Sequence, residues 1–475
     1  MKPNIILTAC FSFFIHVAMG QSVGVGTTTP DNSAALDISS SNKGVLLPRT
    51  TSLQRKAIAS PAAGLLVFDT DKSCLFMFDG VNWQPLVFTT LNNLPGLERT
   101  PDSVGAADYF GFSVDISGNY AIAGAPPDEV NGVARGSAYV FERINGTWIQ
   151  VARLTANDGI ANDQFGYAVS ISGDYIAVSA YGDNTGPIDG HGSVYIFHRV
   201  AGAWIQEYKI RPGDFAENDY FGWSVSISND RLIVGAVGDD NGAVANTGSI
   251  YFFHRSGVTW TQVNKFYRPG FQANESFGIT VRMEGDYAIA SCSSADVGAN
   301  ANAGMVCIYV FGGSTWNFQT NINNPANNTT GFGLSVDITS NYAVISRPGT
   351  GAGYGFVYTY QRTGSTWSFG SQLYNASVGG GFGLSISMTN DYLLVGDFLN
   401  GRKSSYLYKR RPNTAGWDYV REISFSSPAG GYDQVPYPPG ADIVAVSGDY
   451  CIFGNPVSNA NGQQSGNVLF LNISN

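Results

Sequence analysis

The chain has 475 residues, among them 58 glycines, 25 tyrosines and 29 phenylalanines; only 13% are charged, and the formal net charge is −10. An acidic surface lacks the basic footprint that nucleic acid or an anionic membrane requires, so neither is expected as a partner. Five cysteines are too few for a disulfide scaffold at this length, so the core has to come from sheet packing.

Residues 1–20 read as an export signal: Lys2 supplies the positive start, residues 5–19 are largely apolar, and Ala18-Met19-Gly20 is a small-x-small cleavage site. A rival reading takes Leu7-Thr8-Ala9-Cys10 as a lipoprotein box. No other stretch approaches the roughly 18 apolar residues of a membrane span. The mature chain is expected to be extracellular or at the outer cell surface, with the periplasm as the other destination.

Residues 21–85 stand outside the repeat described below and form an N-terminal β-rich adapter. One short helix is expected near residues 53–58, after Thr50-Thr51-Ser52, and residues 74–86 read as a hairpin turning at Asp79-Gly80. This segment is either a rigid adapter or a trimerising stalk.

From residue 86 onward a dipeptide sets the organisation. Phe-Gly returns at Phe110, Phe165, Phe221, Phe277, Phe332 and Phe382, at steps of 55, 56, 56, 55 and 50 residues, and a degenerate seventh unit starts near Gly440. Such a period marks an array of supersecondary units, each unable to bury its apolar face alone. In the second unit, residues 165–172 and 175–180 alternate apolar and small side chains around Gly173-Asp174, a pair suited to a tight hairpin turn. A Gly/Asp-rich loop leads to a third run at 193–197, and a turn near Gly202 leads to a fourth at 204–210. Four short antiparallel strands per unit, seven times over, predict an all-β, seven-bladed propeller over residues 86–475.

Trp148, Trp204, Trp260, Trp316, Trp367 and Trp417 open successive fourth strands, and their recurrence assigns them to blade-to-blade packing. The last unit ends too early for a fourth strand. An open edge is an aggregation hazard, so residues within 83–99 are expected to close the ring as its missing outer strand.

These motifs resemble the FG-GAP repeat propellers, whose best-known relatives are integrin α-subunit heads. The likeness rests on Phe-Gly-x-Ser-Val at Phe110 and Phe221, Gly-Ala-Pro at Gly124 to Pro126, and Gly-Ser-x-Tyr-x-Phe at Gly136, Gly192 and Gly248. It implies a seven-bladed propeller used for binding. Integrin blades that hold calcium carry Asp-x-Asp-x-Asp-Gly between the first two strands, where this chain has two-residue turns. That spacing cannot supply the six to eight oxygens calcium takes. No cofactor is therefore expected, and calcium would need acids from other loops. Residues 23–30, 35–39, 44–49 and 64–70 resemble a leader module of exported Gram-negative bacterial proteins that precedes unrelated repeat domains.

No catalytic motif stands out: there is no His-Glu-x-x-His, no Gly-x-Ser-x-Gly and no Gly-Lys-Ser/Thr. The expected function is non-catalytic binding or adhesion toward an extracellular protein or glycan. The alternatives are a polysaccharide-acting enzyme and a purely structural surface protein. Recognition is placed on the long, variable second-to-third-strand loops, with Asp128, Glu129, Asp183, Asp189, His191, Asp239, Asp240 and Asp296 as candidate ligand-binding residues. His191 with Asp183 and Asp189 could also form a metal corner. Asp158, Asp163, Asp214 and Asp219 recur before successive Phe-Gly pairs, as turn caps would. Cys292 and Cys307 face each other across a hairpin as either a cross-strand disulfide or two buried thiols.

Overall fold

The structure, a computed structural model, describes residues 23–29, 35–40, 42, 45–71, 74–85, 96–99, 107–130, 132–184, 190–326, 330–349, 354–375, 381–398, 404–412, 416–424, 442–456 and 465–473. Residues 1–20, expected above to be an export signal, lie outside them. Seven four-stranded antiparallel sheets follow one another as blades. Their strands are Val114–Ser117, Tyr120–Ala125, Ser137–Ile144 and Thr147–Leu154 in blade one; Val169–Ser172, Tyr175–Ala180, Ser193–Val200 and Ala203–Ile210 in blade two; and Phe221–Ser228, Arg231–Ala236, Ser249–Ser256 and Thr259–Phe266 in blade three. Blade four has Val281–Glu284, Tyr287–Cys292, Met305–Phe311 and Trp316–Asn323; blade five has Val336–Ile338, Tyr342–Arg347, Phe356–Thr363 and Thr366–Tyr374; blade six has Phe382–Met388, Tyr392–Asp397, Ser404–Arg410 and Trp417–Ser424.

Blade seven has Val444–Ser447, Tyr450–Asn455 and Asn467–Asn472, and takes its outer strand, Gly96–Arg99, from ahead of blade one. Leu469 pairs with Glu98 and Phe470 with Leu97, antiparallel. The ring is thus closed within the 83–99 interval, and one core joins Phe110, Tyr139 and Trp148 of blade one to Ile452, Val468 and Phe470 of blade seven.

The recurrent tryptophans pack against the preceding blade. Trp148 stacks on Phe470 and Trp316 on Phe252, each at 4.6 Å between ring centroids, while Trp204 meets Tyr120 and Trp367 meets Tyr287 edge-on. The glycine that opens the third strand, Gly136 and Gly192 of the Gly-Ser-x-Tyr motif and their counterparts Gly304 and Gly466, has an equally direct cause. A Cβ on Gly136, Gly192, Gly304 or Gly466 would lie 2.0–2.1 Å from the carbonyl oxygen of the next blade's Phe165, Phe221, Phe332 or Phe110. Only glycine lets those backbones pass.

The first strands stand side by side around the axis, and their side chains clip each blade to the next. Ser170 Oγ accepts from Ile227 N at 3.1 Å, Ser226 Oγ from Met283 N at 3.0 Å, and Ser387 Oγ from Val446 N at 3.1 Å. In blades four and seven the equivalent residues are Arg282 and Ala445, neither of which can accept. The following blades compensate with an aspartate. Asp337 accepts its own neighbour Ile338 N at 2.8 Å through Oδ1 and Met388 N of the next blade at 2.6 Å through Oδ2; Asp115 does the same with Ile116 N and Ile171 N, both at 2.8 Å.

Ahead of the propeller, Val23–Val25 pairs in parallel with Leu36–Ile38, and Arg49–Thr50, Leu66–Asp69, Cys74–Phe78 and Trp83–Pro85 form a four-stranded sheet. The helix is Ser52–Lys56, started by a capping box between Thr51 and Gln54. The expected hairpin joins Cys74–Phe78 to Trp83–Pro85. Arg55 is buried against Asp69 at 2.8 Å with Phe76 beneath its guanidinium.

Candidate functional site

The second strand of each of the first three blades runs into its long loop through an aspartate: Asp128, Asp183 or Asp239. The structure corrects the expectation that these face a ligand, for they are only 1%, 3% and 4% exposed. Asp128 Oδ2 accepts from Ser137, from Tyr139 Oη at 2.6 Å and from Arg153 Nη2 at 2.8 Å. Asp183 Oδ2 holds Ser193, Lys209 Nζ at 2.7 Å and Arg211 Nη2 at 3.1 Å; Asp239 Oδ2 holds Ser249, Tyr251 Oη at 2.9 Å and Lys265 Nζ at 2.7 Å. A buried carboxylate is kept only when paired and hydrogen-bonded in this way. These acids fasten the long loop to the third and fourth strands.

The acids before each Phe-Gly divide into two roles. Asp163 Oδ2 accepts Ile160 N at 2.7 Å and Asp219 Oδ2 accepts Ala216 N at 2.6 Å, as turn caps; burial pushes each carboxyl up to about 6, with Asp183 and Asp239 respectively adding repulsion. Asp158 and Asp214 instead pair with Lys209 and Lys265, at 2.6 and 2.7 Å. That pairing was not legible as turn-capping.

His191 is buried, edge-on to Phe215 at 5.1 Å, and its carbonyl accepts Phe221 N at 3.0 Å; burial pushes its imidazole below the usual range. It is a seam residue between blades two and three rather than part of an open loop. Asp189 lies outside the described residues. Among the described residues no group of three or more His, Cys, Asp or Glu side chains is placed to hold a metal ion, and no helix is long and apolar enough to cross a membrane.

Three candidates remain accessible on the loop face. Glu129 is exposed on a small hairpin, Glu129–Val130 with Val133–Ala134. Asp240 is exposed and Asp296 half-buried, and each closes its loop tip by accepting a backbone N–H, from Asn246 at 2.7 Å and Asn302 at 2.8 Å. The residue after Phe-Gly adds aromatic rings on this face in blades one to three: Phe112, Tyr167 and Trp223, packed with Tyr181 and Tyr220 at 4.3–6.3 Å.

The axial charges were missed by sequence reasoning. Arg282 pairs with Asp442, and Asp115 and Asp337 act on the same guanidinium from blades one and five. Burial raises Asp337 to about 7 and lifts Asp115 and Asp442 above their ordinary value, with Arg282 opposing in each case.

Cys292 and Cys307 are both buried free thiols. Cys292 pairs with Met305 and Cys307 with Ala290, so the two are diagonal rather than opposite. Diagonal neighbours sit about 7–8 Å apart, beyond the separation a disulfide spans. The cross-strand bond is therefore not formed.

The closed ring of four-stranded sheets defines a seven-bladed β-propeller. Residues 100–141, 148–197 and 204–253 match the FG-GAP repeat family, and residues 24–96 match the phage tail like trimerisation region. The propeller thus carries FG-GAP repeats and is preceded by a segment similar to that region. A comparison with curated proteins finds no match. Among solved structures the chain is similar to a provisionally assigned 6-phosphogluconolactonase from Bacteroides fragilis NCTC 9343, at 13% identity over 75% of this chain and 92% of that one, with a TM-score of 0.44. It is also similar to the periplasmic gluconolactonase of Pseudomonas aeruginosa, at 13% identity over 74% and 92%, with a TM-score of 0.42. Likeness of that degree carries nothing about activity.

Proposed function

We propose that this chain is an exported, non-catalytic binding or adhesion module in which three propellers, joined through their N-terminal regions, recognise an extracellular protein or glycan. The observation that carries this reading is the match of residues 24–96, directly ahead of the ring-closing strand, to a trimerisation region. Three heads on one base turn a weak contact per head into strong attachment, because the second and third contacts form at high effective concentration. The surface of the matched segment supports it: Val25, Leu36 and Ile38 are 41–55% exposed on a two-stranded sheet that has no other strand beside it among the described residues.

Recognition is assigned to the loop face through Glu129, Asp240 and Asp296. A screen of glycans and matrix proteins with the full mature chain, followed by E129Q/D240N/D296N, tests this. Loss of binding to at least one ligand from the screen with an unchanged melting temperature supports the assignment, and full binding of the triple variant to every ligand found rejects it.

A further inference from the structure

Blades four to six depart from blades one to three at the outer rim, and of these blade six, with Tyr419 opposite Tyr408, keeps charged neighbours Asp418, Arg421 and Glu422 on its outer strand, whereas blades four and five do not. In blades one to three the residue opposite the aromatic of the third strand is a glutamine: Gln150 opposite Phe141, Gln206 opposite Phe197 and Gln262 opposite Phe253. At the same register position blade four carries Phe318, opposite Tyr309, and blade five Phe369, opposite Tyr360. These rings are 41% and 56% exposed. Each is held by one edge contact to its tyrosine, at 5.8 and 6.0 Å. Packing does not call for them, because three blades close with glutamine in that place.

Their surroundings are equally distinct. The outer strands Trp316–Asn323 and Thr366–Tyr374 contain no Asp, Glu, Lys or Arg, whereas the outer strands of blades one, two, three and six carry Arg153, Lys209, Lys265 and Arg421 among others. In place of charge they expose amides and hydroxyls, Asn317, Asn321, Ser368 and Gln372, together with Tyr374 at 57%. The two strands are tied into one surface by Trp367 Nε1, which donates to Gln319 Oε1 across the blade boundary at 2.9 Å. At about 3.3 Å per residue each strand runs for roughly 25 Å, the length of several sugar rings.

We infer that the outer rim of blades four and five is a binding surface for a neutral polysaccharide. Exposed aromatic faces take the C–H faces of sugar rings, and uncharged amides and hydroxyls match sugar hydroxyls without the desolvation of a full charge. An anionic polysaccharide finds no cation on these strands. A second copy of the chain would need a broader apolar patch than isolated rings set among amides. The inference rests on the binding reading but lies on a different surface from the loop face.

Affinity electrophoresis of the full mature chain through gels containing laminarin, xyloglucan, mannan or dextran, with alginate as the anionic control, tests it. The variant is F318Q/F369Q, which installs the residue that blades one to three already carry. The wild type is expected to be retarded by at least one neutral gel and not by alginate. The variant is expected to bind about tenfold or more weakly, as the loss of two stacking contacts implies, with an unchanged melting temperature; E129Q/D240N/D296N should be retarded like the wild type. Absence of retardation in every neutral gel, equal retardation of F318Q/F369Q, or preference for alginate would each overturn the inference. So would a variant that merely dissociates in sedimentation, which would make the rim a contact between copies. If the loop variant alone loses retardation, the binding reading stands and this surface is the wrong one.

Discussion

Phe110 and Gly466 meet at the seam of the ring: a Cβ built on Gly466 would stand 2.0 Å from the Phe110 carbonyl oxygen, and Phe110 N donates to Ser465 O at 3.0 Å. This contact does for blades seven and one what Gly192 does for blades two and three. Gly466→Ala should therefore open the closure. Gly118, also at positive φ but with nothing within 4 Å, is the control. Urea denaturation is expected to give a loss of roughly 1 kcal/mol for Gly118→Ala and more than about 3 kcal/mol for Gly466→Ala. Equal losses would mean that the seam is not under steric control.

The axial compensation predicts a coupling. Asp337→Ser keeps an acceptor for Met388 N and leaves Ile338 N without one, while Arg282→Ser supplies that missing acceptor, as Ser226 does for Met283. The cost of D337S should thus be smaller in the R282S background by about 1 kcal/mol or more in a double-mutant cycle. Additive losses would contradict the account.

Asp163 and Asp219, at about 6 in the fold, lie above the value of about 3.9 expected when unfolded. The native state then holds more protons than the unfolded one between about pH 4 and pH 6, so these groups make stability fall as pH rises through that window and add no slope above it. D163N/D219N keeps a side-chain oxygen for Ile160 N and Ala216 N. It should flatten the melting temperature against pH from 4 to 6, and an unchanged slope would show that the two carboxyls titrate normally.

Cys292 and Cys307 should both alkylate after unfolding without reductant and neither should react in the native protein, since burial pushes the Cys307 thiol up to about 12 and Cys292 higher still. A peptide map holding the two joined would contradict the diagonal register.

How much of this could be read in the sequence depended on how far apart the partners lie along the chain. Turns such as Gly173-Asp174, the recurrent tryptophans and the missing last strand are signals within one unit, and all were legible. Arg282 and Asp442 come from different blades and meet only once the ring is closed, so nothing local announces them. Asp128, Asp183 and Asp239 were misread although a signal existed: they recur at 55 and 56 residues, the Phe-Gly period itself, ahead of Tyr139, Tyr195 and Tyr251. A side chain repeated in phase with the scaffold belongs to the scaffold. Phe318, Phe369 and Tyr419 stand where Gln150, Gln206 and Gln262 stand in blades one to three, so that position does not keep phase with the scaffold.

Sedimentation velocity of the mature chain beside V25D/I38D, with both passed over the same immobilised glycan and matrix-protein array, tests the central claim most directly. The account predicts a trimer that binds at least one array member saturably without chemically altering it. It also predicts that the variant is a monomer with unchanged melting of the propeller and at least about tenfold weaker attachment. A wild-type monomer, or turnover of the bound ligand, would contradict it.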